Sequence, residues 1–215
     1  MTPEEEDKTW NFDSWASRYD VIVAADTETY FARYDAVLDA VVEMAHPAPG
    51  ERVLDIGTGT GNLALRCLSY DVQVIGLDPS ELMLRRAQEK AGPNPRVAFQ
   101  QVGEPFLCIP YPESTFDAVV STYAYHHVPH RDRAASVREM VRVLKPGGRW
   151  VLGDLVFENE EAENRALQAY DWLEEEYFAR IDELQEAFAD LGMELKARQF
   201  TPVTWVLWAG GGWNH

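Results

Sequence analysis

The sequence predicts an α/β fold: a seven-stranded, mostly parallel sheet with helices on both faces and an antiparallel last strand. Short apolar runs alternate with segments of helical periodicity between residues 52 and 154, and such alternation is typical of parallel sheets. The last two apolar runs, 194–200 and 203–209, are separated only by Thr201-Pro202, a link that suits a hairpin. With 215 residues, of which 46% are hydrophobic, we expect a single domain over 1–215.

The predicted elements are bounded by residues that stop helices or begin them. Pro47 and Gly50 end the second helix, and the cluster at 92–95 breaks the fourth. Ser80 or Asp78 is available to cap the fourth helix. The predicted strands are 52–56, 72–77, 97–102, 116–122, 149–154, 194–200 and 203–209. The predicted helices are 10–20, 30–45, 62–69, 80–91, 133–144, 160–177 and 181–191.

Two segments are predicted to cover the carboxyl ends of the strands. The first is an N-terminal helical lid over about 10–45, in which aromatic residues recur at helical spacing and Tyr19 is expected to face a ligand. The second is an acidic helical insertion over about 155–180. We expect Arg180 to form an ion pair with this acidic segment, with a substrate carboxylate as the alternative partner.

The charge and the cysteine content exclude several classes of function. A formal net charge of −17 argues against a nucleic-acid partner or an anionic membrane surface, because both require clustered cations. No apolar run approaches the roughly 20 residues that span a bilayer. Two cysteines do not make a disulfide framework, so we expect a cytoplasmic protein. Adjacent His126 and His127 have no third ligand nearby in sequence, so no metal is expected.

The turn after the first predicted strand carries the strongest functional signal. Asp55 ends the apolar run, and Gly57, Gly59 and Gly61 follow at every second position before a helix begins. Glycines there let a ligand lie against the main chain. A dinucleotide fingerprint needs glycine at the sixth position, which is Asn62 here. A carboxylate would repel a pyrophosphate but would suit a cationic amino-acid head.

Polar residues also follow the next strands, and ligands of open α/β sheets bind at these strand ends. Asp78 lies about 20 residues beyond the glycine turn, where an acid commonly accepts hydrogen bonds from ribose hydroxyls; capping the next helix is the alternative. Glu104 follows the third strand and could accept a hydrogen bond from the amine of adenine. The fourth strand leads into Ser121, Tyr123 and the two histidines.

These motifs together resemble class I S-adenosylmethionine (SAM) dependent methyltransferases. The resemblance rests on the segment 12–20, the glycine turn, the run 121–127, Leu144-Lys145-Pro146-Gly147-Gly148, and the C-terminal runs 176–181 and 203–207. The similarity is greatest to the YrrT-type group of bacterial methyltransferases and covers nearly the whole chain. Asp55 and Asp78 stand where that group often has Glu, and Glu104 stands where SAM methyltransferases often have Asp.

The resemblance implies a Rossmann-like fold, SAM as the cofactor and a small-molecule methyl acceptor. Gly57, Asp78 and Glu104 occupy the three SAM contacts that the resemblance implies. We expect the full set of cofactor-binding residues to be Tyr19, Asp55, Gly57, Thr58, Gly59, Gly61, Asp78, Pro79, Met83, Glu104 and Ser121. The candidates near the reacting atoms are His126, His127 and Tyr123, of which a histidine, or else Asp154, would serve as a base if the acceptor needs one. The sequence leaves the acceptor and the oligomeric state open.

Two other functions compete with this one. A non-catalytic protein that binds SAM or S-adenosylhomocysteine would carry the same cofactor motifs. A nicotinamide-dependent oxidoreductase would use a similar sheet, but Asp55 and Asn62 argue against it.

Overall fold

One sheet organises the computed structural model of the protein, which describes residues 12–174 and 176–211. Its strand order is β3-β2-β1-β4-β5-β8-β7, with β6 paired to β5. The strands in the described part are β1 Arg52–Ile56, β2 Gln73–Asp78, β3 Val97–Gln101, β4 Phe116–Thr122, β5 Leu144–Phe157, β6 Ala179–Arg180, β7 Leu195–Gln199 and β8 Thr204–Gly210. Strand order reverses between β1 and β4, which is where open α/β sheets bind ligands.

The sheet confirms the predicted mostly parallel arrangement. β1 pairs in parallel with both β2 and β4, while β8 runs antiparallel to β5 and β7. The structure adds the two-residue strand β6 to the seven that were predicted. β5 also begins earlier than predicted, at Leu144. Its register against β4 shifts between Phe116 and Ala118, so the Pro146-Gly147 turn is absorbed as an irregularity within the strand.

Helices pack on both faces of the sheet, as predicted. They are α1 Tyr19–Ala25, α2 Tyr34–Ala45, α3 Asn62–Cys67, α4 Glu81–Ala91, α5 Arg133–Val143, α6 Glu160–Ala169 and α7 Ile181–Ala189. One core cluster packs residues of α5 and α7, such as Met140 and Phe188, against the sheet. A second cluster packs Leu38 of α2 and Leu63 of α3 against the opposite face. None of the helices described is both long and apolar enough to cross a membrane.

Three predicted helices have different bounds, and long-range contacts explain the differences. The helix predicted over 10–20 is wrong: a 3-10 turn covers Phe12–Ser14, and α1 begins only at Tyr19. Asp13 accepts a hydrogen bond from the Ser80 hydroxyl (2.5 Å), which ties this segment to the start of α4. Residues 10 and 11 lie outside the described residues.

The other two differences concern the segments that cover the sheet. α2 begins at 34 rather than 30 because the Asp26 carboxylate accepts the backbone N–H groups of Glu28, Thr29 and Phe31, which closes a loop. α6 ends at Ala169 rather than continuing to 177. After this end, the Trp172 ring packs edge-on against the Tyr30 ring (centroids 5.3 Å apart). We attribute the early end of the helix to this aromatic contact with a distant segment.

Candidate active site

The glycine turn between β1 and α3 places main-chain groups at the open edge of the sheet. The Gly57 and Thr58 N–H groups donate to the Leu77 carbonyl (2.8 and 2.9 Å), which fixes the turn to β2. Gly59 has φ +52°, and no atom lies within 4 Å of the position that a Cβ would occupy there. The main chain at Gly59 therefore faces open space that a ligand can fill.

The other two glycines of the turn serve the packing of the protein itself. A Cβ on Gly57 would lie 2.3 Å from the Ala124 Cβ, and φ at this residue is +69°. A Cβ on Gly61 would lie 3.0 Å from the Ala87 Cβ, on α4. Three glycines at alternate positions thus have two different roles: two admit neighbouring segments, and Gly59 leaves its main chain accessible.

Asp78 ends β2 and holds the turn from the side. Its Oδ2 accepts the Gly59 N–H (2.8 Å), and its Oδ1 accepts the Ser80 N–H (2.9 Å). The Ser80 hydroxyl, not Asp78, caps α4 by accepting the Met83 N–H (3.1 Å). Burial raises the pKa of Asp78 to about 6. Hydroxyl donors from a ligand would stabilise the ionised form.

Asp55 lies beneath the turn rather than beside the open space. Its carboxylate is 1% exposed and accepts a hydrogen bond from the Thr58 hydroxyl (2.7 Å). Burial, with a smaller contribution from the negative charge of Asp78, raises the pKa of Asp55 to about 7. Its immediate role is to brace the turn from below.

A cavity of about 990 Å³ opens above the carboxyl ends of the strands. We call the part beside β1 and β2 the glycine-turn half; it is lined by Gly57, Thr58, Gly59, Thr60, Asp78, Pro79, Met83, Glu104 and Phe106. We call the part beside β4 and β5 the histidine half; it is lined by Asp26, Tyr30, Phe31, Tyr123, His126, Leu155, Glu174, Glu176 and Tyr177. The volume is at the upper end of the roughly 300–1,000 Å³ range of small-molecule sites, so two ligands can lie side by side.

In the histidine half, an imidazole is fixed by a buried carboxylate. His126 Nδ1 lies 2.6 Å from Asp154 Oδ1, and Asp154 is fully buried on β5. The neighbouring His127 ring is 4.0 Å from that of His126 and meets Phe12 edge-on at 5.0 Å. The two histidines therefore differ in environment: one contacts a carboxylate and the other an aromatic ring.

The segment 12–34 forms the roof of the cavity, and it is held in place by contacts between aromatic rings and by hydrogen bonds. Tyr34 stacks on Tyr123 with ring centroids 5.3 Å apart, and Phe31 meets Tyr19 edge-on at 5.8 Å. Asp20, on α1, accepts hydrogen bonds from the Thr60 hydroxyl (2.6 Å) and from the Asn62 amide (3.0 Å). Tyr123 adopts φ +51°, a left-handed conformation that is costly for an aromatic residue and that occurs here at the end of β4.

Most of the residues predicted for the site come together around this cavity. Those that line it are Tyr19, Gly57, Thr58, Gly59, Asp78, Pro79, Met83, Glu104, Tyr123, His126 and His127. Asp55, Gly61 and Ser121 are not among the residues that line it, and their contact with the ligand stays a prediction. Asp55 braces Thr58, Gly61 packs on Ala87, and the Ser121 hydroxyl donates to the Ile56 carbonyl (2.7 Å).

Several cavity residues were not predicted from the sequence. Tyr30, Phe31 and Glu176 line the histidine half, and Asp20 joins the roof to the glycine turn. They lie in the two segments that were predicted to cover the strand ends, but the sequence did not indicate which of their side chains would face the cavity, because their approach depends on tertiary packing. Arg180, by contrast, does pair with the acidic segment as expected, through Glu163 (2.7 Å) and Glu183 (3.2 Å).

Comparison with known proteins identifies the family. Residues 53–148 match the family described as a methyltransferase domain. Over 208 residues the chain is 31% identical to YrrT of Bacillus subtilis (strain 168), an uncharacterized methyltransferase; the match covers 91% of this chain and 94% of YrrT. The chain belongs to the class I SAM-dependent methyltransferases. SAM is therefore its cofactor, and the family predicted from the motifs is confirmed.

Solved structures confirm the Rossmann-like fold of this methyltransferase. YcgJ from Bacillus subtilis matches with a TM-score of 0.64 and 30% identity, over 77% of this chain and 71% of that one. The cyclase SpnF matches with a TM-score of 0.66 and 24% identity, over 86% of this chain and 72% of that one. Because a cyclase shares the fold, the acceptor and the details of the reaction must be argued from the residues of the cavity.

Proposed function

We propose that this methyltransferase transfers the methyl group of SAM to a small-molecule acceptor bound in the histidine half. The observation that carries the proposal is that one cavity joins the open main chain at Gly59 to the imidazole of His126. The cytoplasmic location expected from the sequence is part of the same proposal. The cavity is roofed by aromatic side chains, which suits a compound of low molecular weight better than a folded macromolecule.

The residues of the glycine-turn half fit the cofactor. The open space over Gly59 accommodates the methionine part against the main chain, and Asp78 presents carboxylate oxygens that can accept the ribose hydroxyls. We assign Glu104, which lines the cavity, to accept from the adenine amine, and Pro79 and Met83 to supply apolar contacts. When bound, SAM supplies an electrophilic methyl group on a sulfonium.

The remaining work belongs to the chain itself. Tyr19 and Phe31 in the roof exclude water from the space between the two halves. Tyr123 and His127 shape the wall against which the acceptor rests. Holding an acceptor in line with the methyl group can supply several kcal/mol, up to roughly 7–11 in favourable cases.

Substitution of Asp78 tests the cofactor site. We expect Asp78→Ala to weaken SAM binding by about 1–3 kcal/mol, because two backbone N–H groups and the ribose hydroxyls lose their charged acceptor. Titration calorimetry with SAM, S-adenosylhomocysteine and NAD is the measurement. Asp78→Asn, which retains one acceptor oxygen, should lie between the wild type and Asp78→Ala.

Glu89→Ala provides the control, since Glu89 lies on the exposed side of α4 and pairs with Arg86. Its affinity for SAM should equal that of the wild type. An unchanged affinity in a folded Asp78→Ala protein would remove Asp78 from the site, and binding of NAD alone would overturn the proposal. Transfer of label from SAM to the low-molecular-weight fraction of a cell extract, rather than to its proteins, tests the acceptor class.

A further inference from the structure

Asp154 is surrounded by hydrogen-bond donors from its own strand and from the turn after β4. Its Oδ2 accepts the N–H groups of Ala124 (3.1 Å), Tyr125 (2.7 Å) and His126 (3.3 Å). Its Oδ1 accepts the Leu155 N–H (2.7 Å) and faces His126 Nδ1. Four backbone N–H groups donate to its two oxygens, which suits an ionised carboxylate that accepts and does not take up a proton. Asp154 is therefore not the base that the sequence left open.

The same arrangement fixes the tautomer of His126. Because Asp154 only accepts, Nδ1 of His126 must carry a proton and donate it across the 2.6 Å contact. Nε2 then holds a lone pair. The His126 side chain is 12% exposed and lines the cavity, so this lone pair belongs to a fixed ring at the wall of the histidine half. A carboxylate behind the ring also stabilises the imidazolium that forms when Nε2 takes up a proton.

We propose that His126 is a general base, that Asp154 is its positioning residue, and that the acceptor is methylated on a hydroxyl oxygen. The inference rests on the proposed function. A thiol ionises readily near neutral pH, and a neutral amine attacks through its own lone pair. An alcohol or phenol oxygen becomes a strong nucleophile only as its proton leaves, which is the task of a base held in this geometry.

The charges around the histidine half narrow the acceptor class. Asp26, Glu174 and Glu176 line this half, together with the rings of Tyr30, Phe31 and Tyr177. Arg131 also lines the cavity, but it pairs with Asp132 (3.7 Å). Carboxylates disfavour an anionic acceptor, whereas aromatic faces favour a flat or cationic one. The acceptor class is therefore an uncharged or cationic hydroxyl compound, of which phenols are the simplest examples.

The transfer balances as follows. The acceptor oxygen forms a bond to the methyl carbon while the carbon–sulfur bond breaks and its electron pair passes to the sulfur, so that the sulfonium becomes a neutral thioether. The hydroxyl proton passes to His126 Nε2. After the products leave, the imidazolium returns this proton to solvent, and Asp154 keeps its charge throughout.

The pH dependence has a definite sign. His126 must be neutral to accept a proton, so the rate should fall as the solution is made more acidic. The ionisable groups that contact His126 are Asp154 on β5 and His127 in the same turn. Those that line the cavity on its side are Tyr123, Arg131, Asp132, Glu174, Glu176 and Tyr177.

The tautomer can be measured without any acceptor. Long-range ¹⁵N–¹H correlation spectra should show His126 protonated at Nδ1 and bare at Nε2. Asp154→Asn presents an amide N–H to Nδ1 and should reverse the tautomer. His130→Gln is the matched control, since His130 also pairs with a carboxylate, that of Glu183 (3.2 Å), but does not line the cavity. A His126 ring protonated at Nε2 in the wild type would overturn the proposal.

Activity is measured with 4-methylphenol and tyramine, each against the matched amine and thiol probes 4-methylaniline and 4-methylbenzenethiol. We expect methylation of the phenols, a loss of about 10²–10⁴-fold in kcat for His126→Gln and Asp154→Asn, and no loss for His130→Gln. The proposal is contradicted if neither phenol is methylated, or if methyl transfer to a phenol continues at the wild-type rate in His126→Gln. If SAM binds with normal affinity in those cases, only this inference fails; if SAM does not bind, the proposed function fails.

Discussion

The glycine-turn half and the histidine half share one cavity but are built in different ways. In the glycine-turn half, Gly59, Asp78 and Ser80 lie within 22 residues of one another and are joined by hydrogen bonds from two backbone N–H groups to the Asp78 carboxylate. In the histidine half, Tyr30, His126 and Asp154 come from three distant segments and are held by side-chain contacts. A local sequence motif can therefore specify the first half, while the second depends on the assembled fold.

The largest effect should come from replacing two glycines of the turn, Gly57, which packs against Ala124, and Gly59, which faces open space. Gly57→Ala places a Cβ 2.3 Å from Ala124 at a positive φ, and we expect it to lower the free energy of unfolding by about 2–5 kcal/mol. Gly59→Ala meets no atom and should cost only about 1–2 kcal/mol for its positive φ, yet it should weaken SAM binding. Urea denaturation and calorimetry measure both quantities. Equal destabilisation by the two variants would contradict the distinction between a packing glycine and an accessible one.

A smaller effect concerns Asp55, which supports the glycine turn from below, and it should appear in how the free energy of unfolding depends on pH. The raised pKa of Asp55 means that the folded state binds this proton more tightly than the unfolded chain, whose aspartate pKa is about 3.9. The stability that Asp55 contributes is therefore complete below about pH 4 and is lost as the pH rises to about 7. Relative to the wild type, Asp55→Asn should gain about 1–3 kcal/mol between pH 4 and pH 8.

Asp117→Asn is the control of opposite sign for this measurement. The Arg52 N–H and the Lys145 ammonium hold the pKa of Asp117 below its ordinary value, although burial alone would raise it. This variant should lose stability relative to the wild type as the pH rises. Denaturation at several pH values distinguishes the two, and parallel curves for both variants would refute the assignment for Asp55.

The difference between the two halves also explains which parts of the fold and the site could be predicted from the sequence. The turn at 57–61, the acid at 78 and the two histidines are recognisable because strand, turn and helix follow one another along the chain. The loop closed by Asp26 and the end of α6 at Ala169 were mispredicted, because local helical periodicity was overridden by contacts with remote residues. Likewise, the pairing of His126 with Asp154 joins residues 28 positions apart, which no local pattern reveals.

The smallest effect should come from two tyrosine hydroxyls, that of Tyr30 in the histidine half and that of Tyr34 in the roof, which is hydrogen-bonded to Asn62 at the start of α3. The Tyr30 hydroxyl accepts the Glu174 N–H (2.7 Å), whereas the Tyr34 hydroxyl accepts from the Asn62 amide (3.1 Å). We expect Tyr30→Phe to raise the KM of the acceptor and Tyr34→Phe to raise the Kd of SAM. Each increase should correspond to about 0.5–1.5 kcal/mol of lost binding free energy. Steady-state kinetics and calorimetry on both variants provide the comparison. If Tyr30→Phe changed only the affinity for SAM, the division into two halves would be wrong.

The contact between Asp20 and Thr60 has a consequence for how the roof is held over the cavity. It joins α1, above the cavity, to the turn that forms the floor, and Lys90 adds an ion pair to the same carboxylate (3.0 Å). One carboxylate, whose side chain is half-exposed, thereby links the roof to the floor of the glycine-turn half, so the two surfaces are joined here by polar contacts that water can replace.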